Sequence, residues 1–317
     1  MIVRWSLREL PLLLAELGVG RPLLVASARW DRLDVPHLGH WSEVPSHRVD
    51  VPTEADSLLA IGGGSAIDTA KAASAATGLP VVSVPTTYSG AEWAPSFGVR
   101  TPDRRMIGGG GGANFAGIVY EVGLTLDLPR AETVGTAMNA LAHCAEALYV
   151  RGRNDVADAK ALAGAALIAG SLPSVVQAPL GVEARGDLLR GACNAGEALA
   201  SAGLGLAHAM AQVVGGTYGL PHGAMNALVL PPALRFNARL APEAVRRFGA
   251  AIGGELDPAA RVEELASLGE FGRLRDYGVA EDDLAALAAS AAQRGGNQLN
   301  PRPATPAEIE QLLRSVY

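Results

Sequence analysis

The sequence predicts an α/β domain followed by an all-helical domain. Up to about residue 128, short apolar runs alternate with helical stretches, which is typical of a parallel sheet with right-handed crossovers. From Pro129 onward, segments rich in alanine and leucine follow one another with helical periodicity, and runs of β-branched residues are scarce. We therefore expect one domain at residues 1–129 and a second at residues 130–317.

Short buried apolar runs predict the strands of the first domain, at residues 23–26, 58–61, 80–84 and 118–120. Helices are expected around residues 7–18 and 66–77. The five consecutive glycines at 108–112 predict a flexible loop, with an active-site lid as the alternative. In the second domain, helices are expected at roughly 131–150, 155–177, 184–216, 223–238, 242–253, 259–267, 280–293 and 305–315.

Composition excludes several classes of protein. Apolar residues make up 49% of the 317 residues and charged residues 18%, which favours a large core over disorder. A formal net charge of -6 without a basic run argues against a nucleic-acid partner. The start does not resemble a signal peptide, and no uninterrupted apolar segment reaches about 18 residues, so we expect no membrane partner. Two cysteines without a CxxC pattern indicate buried thiols in a cytoplasmic protein.

A glycine-rich turn, Gly62-Gly63-Gly64-Ser65, follows a predicted strand and opens a predicted helix. Glycine allows the backbone to approach a diphosphate, and the N-terminus of a helix offers unpaired N–H groups and the positive end of its dipole. Ser65 adds a hydroxyl group, and Asp68 lies on the first helical turns. The turn lacks the GxGxxG spacing, so it is weak evidence when taken alone.

A second polar loop follows the next strand and strengthens the prediction of a nucleotide site. Thr86, Thr87, Tyr88 and Ser89 lie within it. Ligands of open α/β sheets bind at the carboxyl ends of the strands, where both loops are expected.

Polar residues in the helical half are spaced as in a metal-binding cage, with an amide in place of the carboxylate. Asn139 and His143 are four residues apart and therefore share a helix face, and so do His208 and Gln212. His222 follows Pro221 in a turn. Because divalent metals favour histidine and carboxylate ligands, Asn139 is a poor substitute for aspartate.

Together these motifs resemble the iron-containing (group III) alcohol dehydrogenase superfamily. The resemblance rests on residues 62–71 (GGGSAIDTAK), on 85–92 (PTTYSGAE) and on 219–222 (GLPH). Residues 138–149 (MNALAHCAEALY) and 300–303 (NPRP) are closest to its maleylacetate reductase branch. The similarity extends over nearly the whole chain, from about residue 7 to residue 317.

The resemblance implies a Rossmann-like domain, a C-terminal helical domain with dehydroquinate synthase-like architecture, and an active site in the interdomain cleft. It implies NAD(H) or NADP(H) on the glycine turn and the threonine loop, and a cytoplasmic homodimer. The cofactor-binding residues it implies are Gly62, Gly63, Gly64, Ser65, Asp68, Thr86, Thr87 and Ser89. Metal-dependent members use an aspartate and three histidines, which correspond to Asn139, His143, His208 and His222. Maleylacetate reductases resemble this chain in having asparagine at the first position and are regarded as metal-free.

Three features depart from the family pattern. Gln212 replaces a histidine of most members, and glutamine cannot act as a general acid. About 30 residues that usually precede the glycine turn are missing. A lysine common after the threonine loop has no clear match, and Arg104 or Arg105 lies nearest to its position.

The function we expect is NAD(P)H-dependent reduction of a small carbonyl or keto-acid substrate. His143, His208 or His222, when protonated, could assist the developing oxyanion. We expect Tyr88, Asn139, Gln212 and Arg302 to contact the substrate, although Arg302 could equally be a surface residue.

Three alternatives stay open. Iron or zinc on the three histidines would make a metal-dependent alcohol dehydrogenase. A dehydroquinate synthase-type lyase would use NAD only transiently and require metal. A diverged homologue would lack catalysis altogether.

Overall fold

The computed structural model describes residues 1–101 and 105–317, and these fall into two compact units, Met1–Asp127 and Leu128–Tyr317. Arg104 lies outside the described residues. The first unit contains a parallel sheet and the second is helical within the described residues, so the predicted fold class is confirmed.

The first unit is built on a six-stranded parallel sheet. Its strands are β1 (Ile2–Arg4), β2 (Pro22–Ala26), β3 (Gly39–Trp41), β4 (Ser57–Gly62), β5 (Val81–Pro85) and β8 (Phe115–Val119). They lie in the order β1-β8-β5-β4-β2-β3. The α-helices among the described residues of this unit are α1 (Leu10–Glu16) and α2 (Gly64–Thr77).

Both faces of the sheet are buried because alternate residues of each central strand point to opposite sides. Leu59 and Ile61 of β4 pack with the buried leucines of α1, including Leu13. Leu58 and Ala60 pack on the other face with α2, including Ile67. This two-sided burial explains why the central strands are continuous apolar runs.

The glycine run does not form the flexible loop that we expected. Strand β7 (Met106–Gly110) pairs with β6 (Phe97–Arg100) in an antiparallel hairpin. A Cβ atom on Gly110 would lie 2.8 Å from the Phe97 ring, and one on Gly109 would lie 2.8 Å from the Phe97 carbonyl oxygen. The glycines therefore allow the hairpin to pack closely against Phe97.

The second unit contains ten described helices. They are α3 (Arg130–Ala147), α4 (Asp155–Gln177), α5 (Val182–Ala202), α6 (Leu206–Tyr218), α7 (His222–Asn237), α8 (Pro242–Ile252), α9 (Pro258–Ser267), α10 (Leu284–Ala292), α11 (Gly295–Leu299) and α12 (Pro306–Ser315). The single helix expected at 184–216 is instead two helices, because the chain bends by 103° between α5 and α6. Gly203 at the bend has φ = +94°, a conformation that favours glycine.

Helix α3 is the centre of the second unit and packs against α4, α5 and α7. Every residue from Ala137 to Ala147 is buried. Helix α4 is long and apolar enough to cross a membrane, but 44% of its most apolar window is buried within the unit. Core helices share this property, so α4 is only weak evidence for a membrane span.

Candidate functional site

The glycine turn connects β4 to α2 and requires glycine at two positions. Gly62 has φ = +149°, and a Cβ atom on Gly63 would lie 2.9 Å from Thr87 Cγ2. Helix α2 begins at Gly64, and no described side chain caps its N-terminus. The first N–H groups of α2 therefore lack a side-chain acceptor and are suited to an anion.

The threonine loop lies beside the glycine turn. The backbone N–H of Thr86 donates to the carbonyl oxygen of Gly62 at 3.0 Å. Thr87 Oγ1 donates to Ser89 Oγ at 3.3 Å. Strands β4 and β5 run in parallel, so both loops leave the sheet at its carboxyl edge. This edge is where a nucleotide binds in α/β sheets.

Asp68 anchors the β6–β7 hairpin, a role that the sequence did not predict. Its Oδ1 accepts a hydrogen bond from Lys71 Nζ at 3.0 Å, and its Oδ2 accepts one from the backbone N–H of Gly98 at 3.2 Å. Lys71, which is only 1% exposed, also donates to the carbonyl oxygen of Ser96 at 2.9 Å. Both carboxylate oxygens of Asp68 thus help to hold this hairpin in place, and a contact of Asp68 with the cofactor stays a prediction.

Glu92, at the end of the threonine loop, is a buried acid that the sequence did not single out. Tyr120 Oη donates to Glu92 Oε1 at 2.8 Å, and Trp93 Nε1 donates to Tyr120 Oη at 2.8 Å. Glu92 Oε2 is buried without a hydrogen-bond partner among the described residues. Burial raises the pKa of Glu92, so the neutral acid is favoured.

Three helices of the second unit bring His143, His208 and His222 together, as the family resemblance implied. The rings of His143 and His208 stack with their centroids 4.5 Å apart, and the centroids of His208 and His222 are 5.8 Å apart. The start of α7 lies directly on α3, because a Cβ atom on Gly223 would lie 2.3 Å from the Gly135 carbonyl carbon. This glycine contact places His222 close to α3.

Glu146 supports His208 from behind and was not predicted. Its Oε2 lies 2.6 Å from His208 Nδ1 and accepts the backbone N–H of Gly205 at 2.7 Å. Its Oε1 accepts the backbone N–H of His208 at 3.1 Å. The carboxyl group is fully buried, so these bonds replace the water it loses.

Asn139 and Asn226 connect the histidines through their amide groups. His208 Nε2 lies 3.1 Å from Asn139 Oδ1, and Asn226 Nδ2 donates to the same oxygen at 2.8 Å. Asn226 Nδ2 also lies 3.0 Å from His222 Nε2 and 3.2 Å from the His222 carbonyl oxygen. The Asn139 oxygen therefore accepts a hydrogen bond from Asn226 and also lies within hydrogen-bond distance of His208 Nε2.

His143 is held neutral. Burial lowers its pKa well below the usual range, and the neighbouring His208 and His222 lower it further. Its Nδ1 is buried without a hydrogen-bond partner among the described residues. A neutral imidazole in this position can donate a hydrogen bond through one nitrogen but does not carry a positive charge.

The histidine cluster does not fit a metal ion well. Asn139 offers a neutral oxygen where the metal-dependent pattern has a carboxylate, and that oxygen is already engaged. Residues 1–101 and 105–317 contain no group of three or more His, Cys, Asp or Glu arranged to hold a metal.

Arg302 is not placed at the histidine cluster. Its guanidinium binds Glu308 through two hydrogen bonds of 3.0 and 2.7 Å and lies 5.0 Å from the centroid of the Phe236 ring. Phe236 is at the opposite end of α7 from His222, roughly 20 Å away at 1.5 Å per residue. The proposed clamp on a substrate carboxylate is therefore corrected to a surface ion pair.

The other two expected substrate residues have different environments. Gln212 is half-buried on α6, one turn beyond His208. Tyr88 is completely buried in the first unit. Their contact with a substrate stays a prediction.

Spacing could have identified Glu146 and Asn226, two of the residues that the sequence reasoning missed. Glu146 lies seven positions after Asn139, on the same face of α3, and Asn226 lies four positions after His222 on α7. Both spacings place a polar side chain next to a residue already under consideration.

Comparison with known proteins identifies the class of this site. Residues 133–317 match the model of the Fe-containing alcohol dehydrogenase family, C-terminal, and residues 51–112 match that of iron-containing alcohol dehydrogenase. With the parallel sheet and the histidine cluster, these matches define an oxidoreductase that acts on CH–OH and C=O groups.

Individual relatives support the same assignment over the full chain. Maleylacetate reductase of Pseudomonas knackmussii is 33% identical, covering 98% of this chain and 93% of the relative. The structure of an iron-containing alcohol dehydrogenase from Corynebacterium glutamicum is 30% identical with a TM-score of 0.88, covering 100% of this chain and 94% of that one. The structure of maleylacetate reductase from Agrobacterium tumefaciens is 28% identical with a TM-score of 0.85, and the match covers 100% of this chain and 95% of that one. This chain belongs to the iron-containing alcohol dehydrogenase family, and within it resembles the maleylacetate reductases.

Proposed function

We propose that this protein reduces maleylacetate, or a closely similar keto acid, with NADH or NADPH and without a metal ion. The single observation that carries the proposal is the closed amide network, in which Asn139 bonds to His208 and Asn226 at the position of the metal-binding carboxylate. Similarity to maleylacetate reductases over nearly the full chain supports the choice of substrate. It does not favour the metal-dependent dehydrogenase or the lyase.

The first unit carries the residues suited to a nicotinamide cofactor, which supplies the hydride when bound. Gly62, Gly63, Gly64 and Ser65 offer backbone N–H groups and a hydroxyl at the start of α2 for the diphosphate. Thr86, Thr87 and Ser89 line the neighbouring loop. The missing Cβ atoms of the glycines allow the two loops to lie side by side, which fits a cofactor that spans both.

The histidine cluster is suited to stabilise the oxygen of the substrate carbonyl. Negative charge develops on that oxygen as hydride reaches the carbon, and oriented N–H donors lower the barrier. Neutral His143 can donate a hydrogen bond, and the Gln212 amide lies one turn beyond His208. Since glutamine cannot titrate, we assign proton delivery to the histidines.

We propose that a divalent metal is not part of this reaction. Three histidines alone can hold zinc in other proteins, but they do so through free ring nitrogens. Here His208 has both ring nitrogens within hydrogen-bond distance of protein oxygens. A metal ion would have to break a network that the protein already completes.

The setting we propose is a cytoplasmic homodimer that acts on a small molecule. The net charge of -6 gives no basis for nucleic-acid binding. The boundary near residue 129 would separate the cofactor-binding and substrate-binding domains.

The test is a reduction assay on the purified full chain, with maleylacetate and either NADH or NADPH, alongside a metal analysis. We expect stoichiometric oxidation of one cofactor, no tightly held metal, and activity that survives a chelator. A loss of activity with EDTA that is restored by Fe²⁺ or Zn²⁺ would overturn the metal-free proposal. Absence of net cofactor oxidation would favour the lyase or a non-catalytic homologue.

The assay compares one histidine variant in the cluster with one control variant outside it. His143→Gln removes a buried ring from the cluster and is expected to lower kcat/KM by about 100-fold, the usual range for a positioned proton donor or acceptor. His47→Gln changes an exposed histidine in the first unit and is expected to leave kcat/KM unchanged. Equal effects of the two substitutions would contradict the assignment of the cluster.

A further inference from the structure

We propose that Asn226 is a positioning residue that sets the direction of the hydrogen bonds through the histidine cluster and keeps a proton on His208 Nε2. The proposal deepens the metal-free function proposed above and rests on it. It concerns which atoms donate and which accept, and these follow from the contacts of one amide group.

The orientation of the Asn226 amide is determined by the backbone. One atom of the amide lies 3.2 Å from the His222 carbonyl oxygen. A carbonyl oxygen can only accept a hydrogen bond, so the atom that faces it must be Nδ2 and not Oδ1. Turning the amide over would place two oxygens against each other in a buried site.

The orientation of Asn139 follows from that of Asn226. Asn226 Nδ2 lies 2.8 Å from one atom of the Asn139 amide, which must therefore be the accepting oxygen. The same oxygen lies 3.1 Å from His208 Nε2. Because an amide oxygen carries no hydrogen, Nε2 must supply it.

Glu146 completes the arrangement on the other side of the His208 ring. His208 Nδ1 lies 2.6 Å from Glu146 Oε2, and one proton lies between these two atoms. Whichever of the two holds that proton, Nε2 carries a proton of its own. His208 is therefore a donor towards Asn139.

His222 has the opposite arrangement. Asn226 Nδ2 lies 3.0 Å from His222 Nε2, which accepts, so the ring proton of a neutral His222 is on Nδ1. The two N–H bonds of Asn226 serve three acceptors, and one N–H is shared. A single amide thus makes His208 a donor at Nε2 and His222 an acceptor at Nε2.

This direction has a chemical consequence for the site. A histidine binds a metal through the lone pair of an unprotonated nitrogen. The proton on His208 Nε2 occupies that position, so Asn226 removes His208 from any set of metal ligands. Reversing the Asn226 amide would free the lone pair.

Asn226→Asp is the variant that is expected to reverse the direction of the hydrogen bonds between Asn226, Asn139 and His208. When ionised, the introduced carboxylate can only accept, so at a pH where it is ionised the Asn139 amide is expected to turn and donate both to that carboxylate and to His208 Nε2. The proton of His208 would then leave Nε2. Asn237→Asp is the matched control, since Asn237 is equally buried at the far end of α7 and also bonds to an asparagine, Asn300.

The experiment is NMR of the full chain labelled with ¹⁵N in the histidine rings, without cofactor or substrate. The His208 signals are identified by their loss in His208→Gln. In the wild-type chain we expect an N–H signal at His208 Nε2. In Asn226→Asp we expect that signal to be lost and the nitrogen to shift into the unprotonated range. In Asn237→Asp the wild-type pattern should remain.

The wild-type spectrum tests the proposal even if a variant does not fold. An unprotonated His208 Nε2 in the chelator-treated wild-type chain overturns it, and so does an unchanged His208 pattern in folded Asn226→Asp. The reductase assay is independent of this readout. If the protein shows the expected NMR pattern but does not reduce maleylacetate, the inference about Asn226 holds and the proposed function is wrong.

Discussion

Replacing Gly205 by alanine tests how tightly Glu146 must be held for the histidine cluster to work. Gly205 precedes α6, and a Cβ atom there would lie 2.9 Å from Glu146 Cδ and 3.0 Å from both Cγ and Oε1. Ordinary carbon contacts lie at about 3.5–4.0 Å. Glu146 or the start of α6 must therefore move by roughly 0.5–1 Å.

A shift of that size disrupts bonds that are already short. The bond from the Gly205 N–H to Glu146 Oε2 measures 2.7 Å, and the contact of that oxygen with His208 Nδ1 measures 2.6 Å. Overpacking of a core costs about 1–3 kcal/mol, and each hydrogen bond to a charged group contributes about 1.5–3 kcal/mol. Because the bonds stretch without being fully lost, we expect Gly205→Ala to lower the free energy of unfolding by about 2–4 kcal/mol.

Thermal unfolding and the reductase assay measure the two consequences. At about 2–4 °C per kcal/mol for a domain of this size, Tm should fall by roughly 5–15 °C. A misplacement approaching 1 Å should lower kcat/KM by about 100-fold. The control is Gly170→Ala, an exposed site in α4 with no atom within 4 Å of the added Cβ, where alanine should stabilise by about 0.5–1 kcal/mol. If Gly205→Ala keeps wild-type Tm and activity, the argument that Glu146 is rigidly held is refuted.

Three further changes test other parts of the molecule. Asn139→Asp adds a carboxylate beside the histidines and should create a site that binds one Zn²⁺ per chain and releases protons on binding. Metal analysis and a zinc titration measure this, with the wild-type chain as the control. Equal zinc contents of the two proteins would contradict the prediction. Lys71→Met keeps the buried aliphatic stem of the side chain but removes its hydrogen bonds to Asp68 and to the carbonyl oxygen of Ser96. Denaturant unfolding should show that the free energy of unfolding falls by about 1–3 kcal/mol. An unchanged free energy of unfolding would refute the role of Lys71 in holding the hairpin. Glu92→Gln cannot ionise. Because the folded pKa of Glu92 is raised, the stability it contributes is present below its ordinary value of 4.5 and is lost as pH rises through the folded pKa. Glu92→Gln should therefore have a higher Tm than the wild-type chain at pH 7 but not near pH 4. A Tm difference between the two proteins that does not depend on pH would contradict the raised pKa of Glu92.

The central strands could be predicted from the sequence, whereas the outer strands could not. Strand β4 is buried along its whole length and therefore reads as a continuous apolar run. The edge strands β1 and β3 have three residues each and are only half-buried. Runs that short carry too little periodicity to be distinguished from a loop.

The glycine run shows where composition misleads. Five glycines predict a loop because glycine has conformational freedom, yet Gly108, Gly109 and Gly110 lie in a strand. Gly109 and Gly110 are needed to make room for Phe97, which lies on the partner strand. A packing requirement of this kind depends on the partner strand and does not show in the segment itself.

The sequence predicted the histidines and Asn139 of the cluster, but neither Glu146 and Asn226 nor the hydrogen bonds that connect them. Helical spacing of four placed Asn139 beside His143, and the structure adds His208 and His222 to them. The direction of the hydrogen bonds depends on one backbone carbonyl, that of His222, which no sequence pattern reveals.

The closed network around Asn139 also bears on how the protein matures. Its bonds join side chains of this chain alone, so they form as the helices pack. If the reaction is metal-free as proposed above, a newly synthesised molecule needs no metal delivery to complete this cluster. Specific activity should consequently be the same from cells grown with abundant or scarce iron.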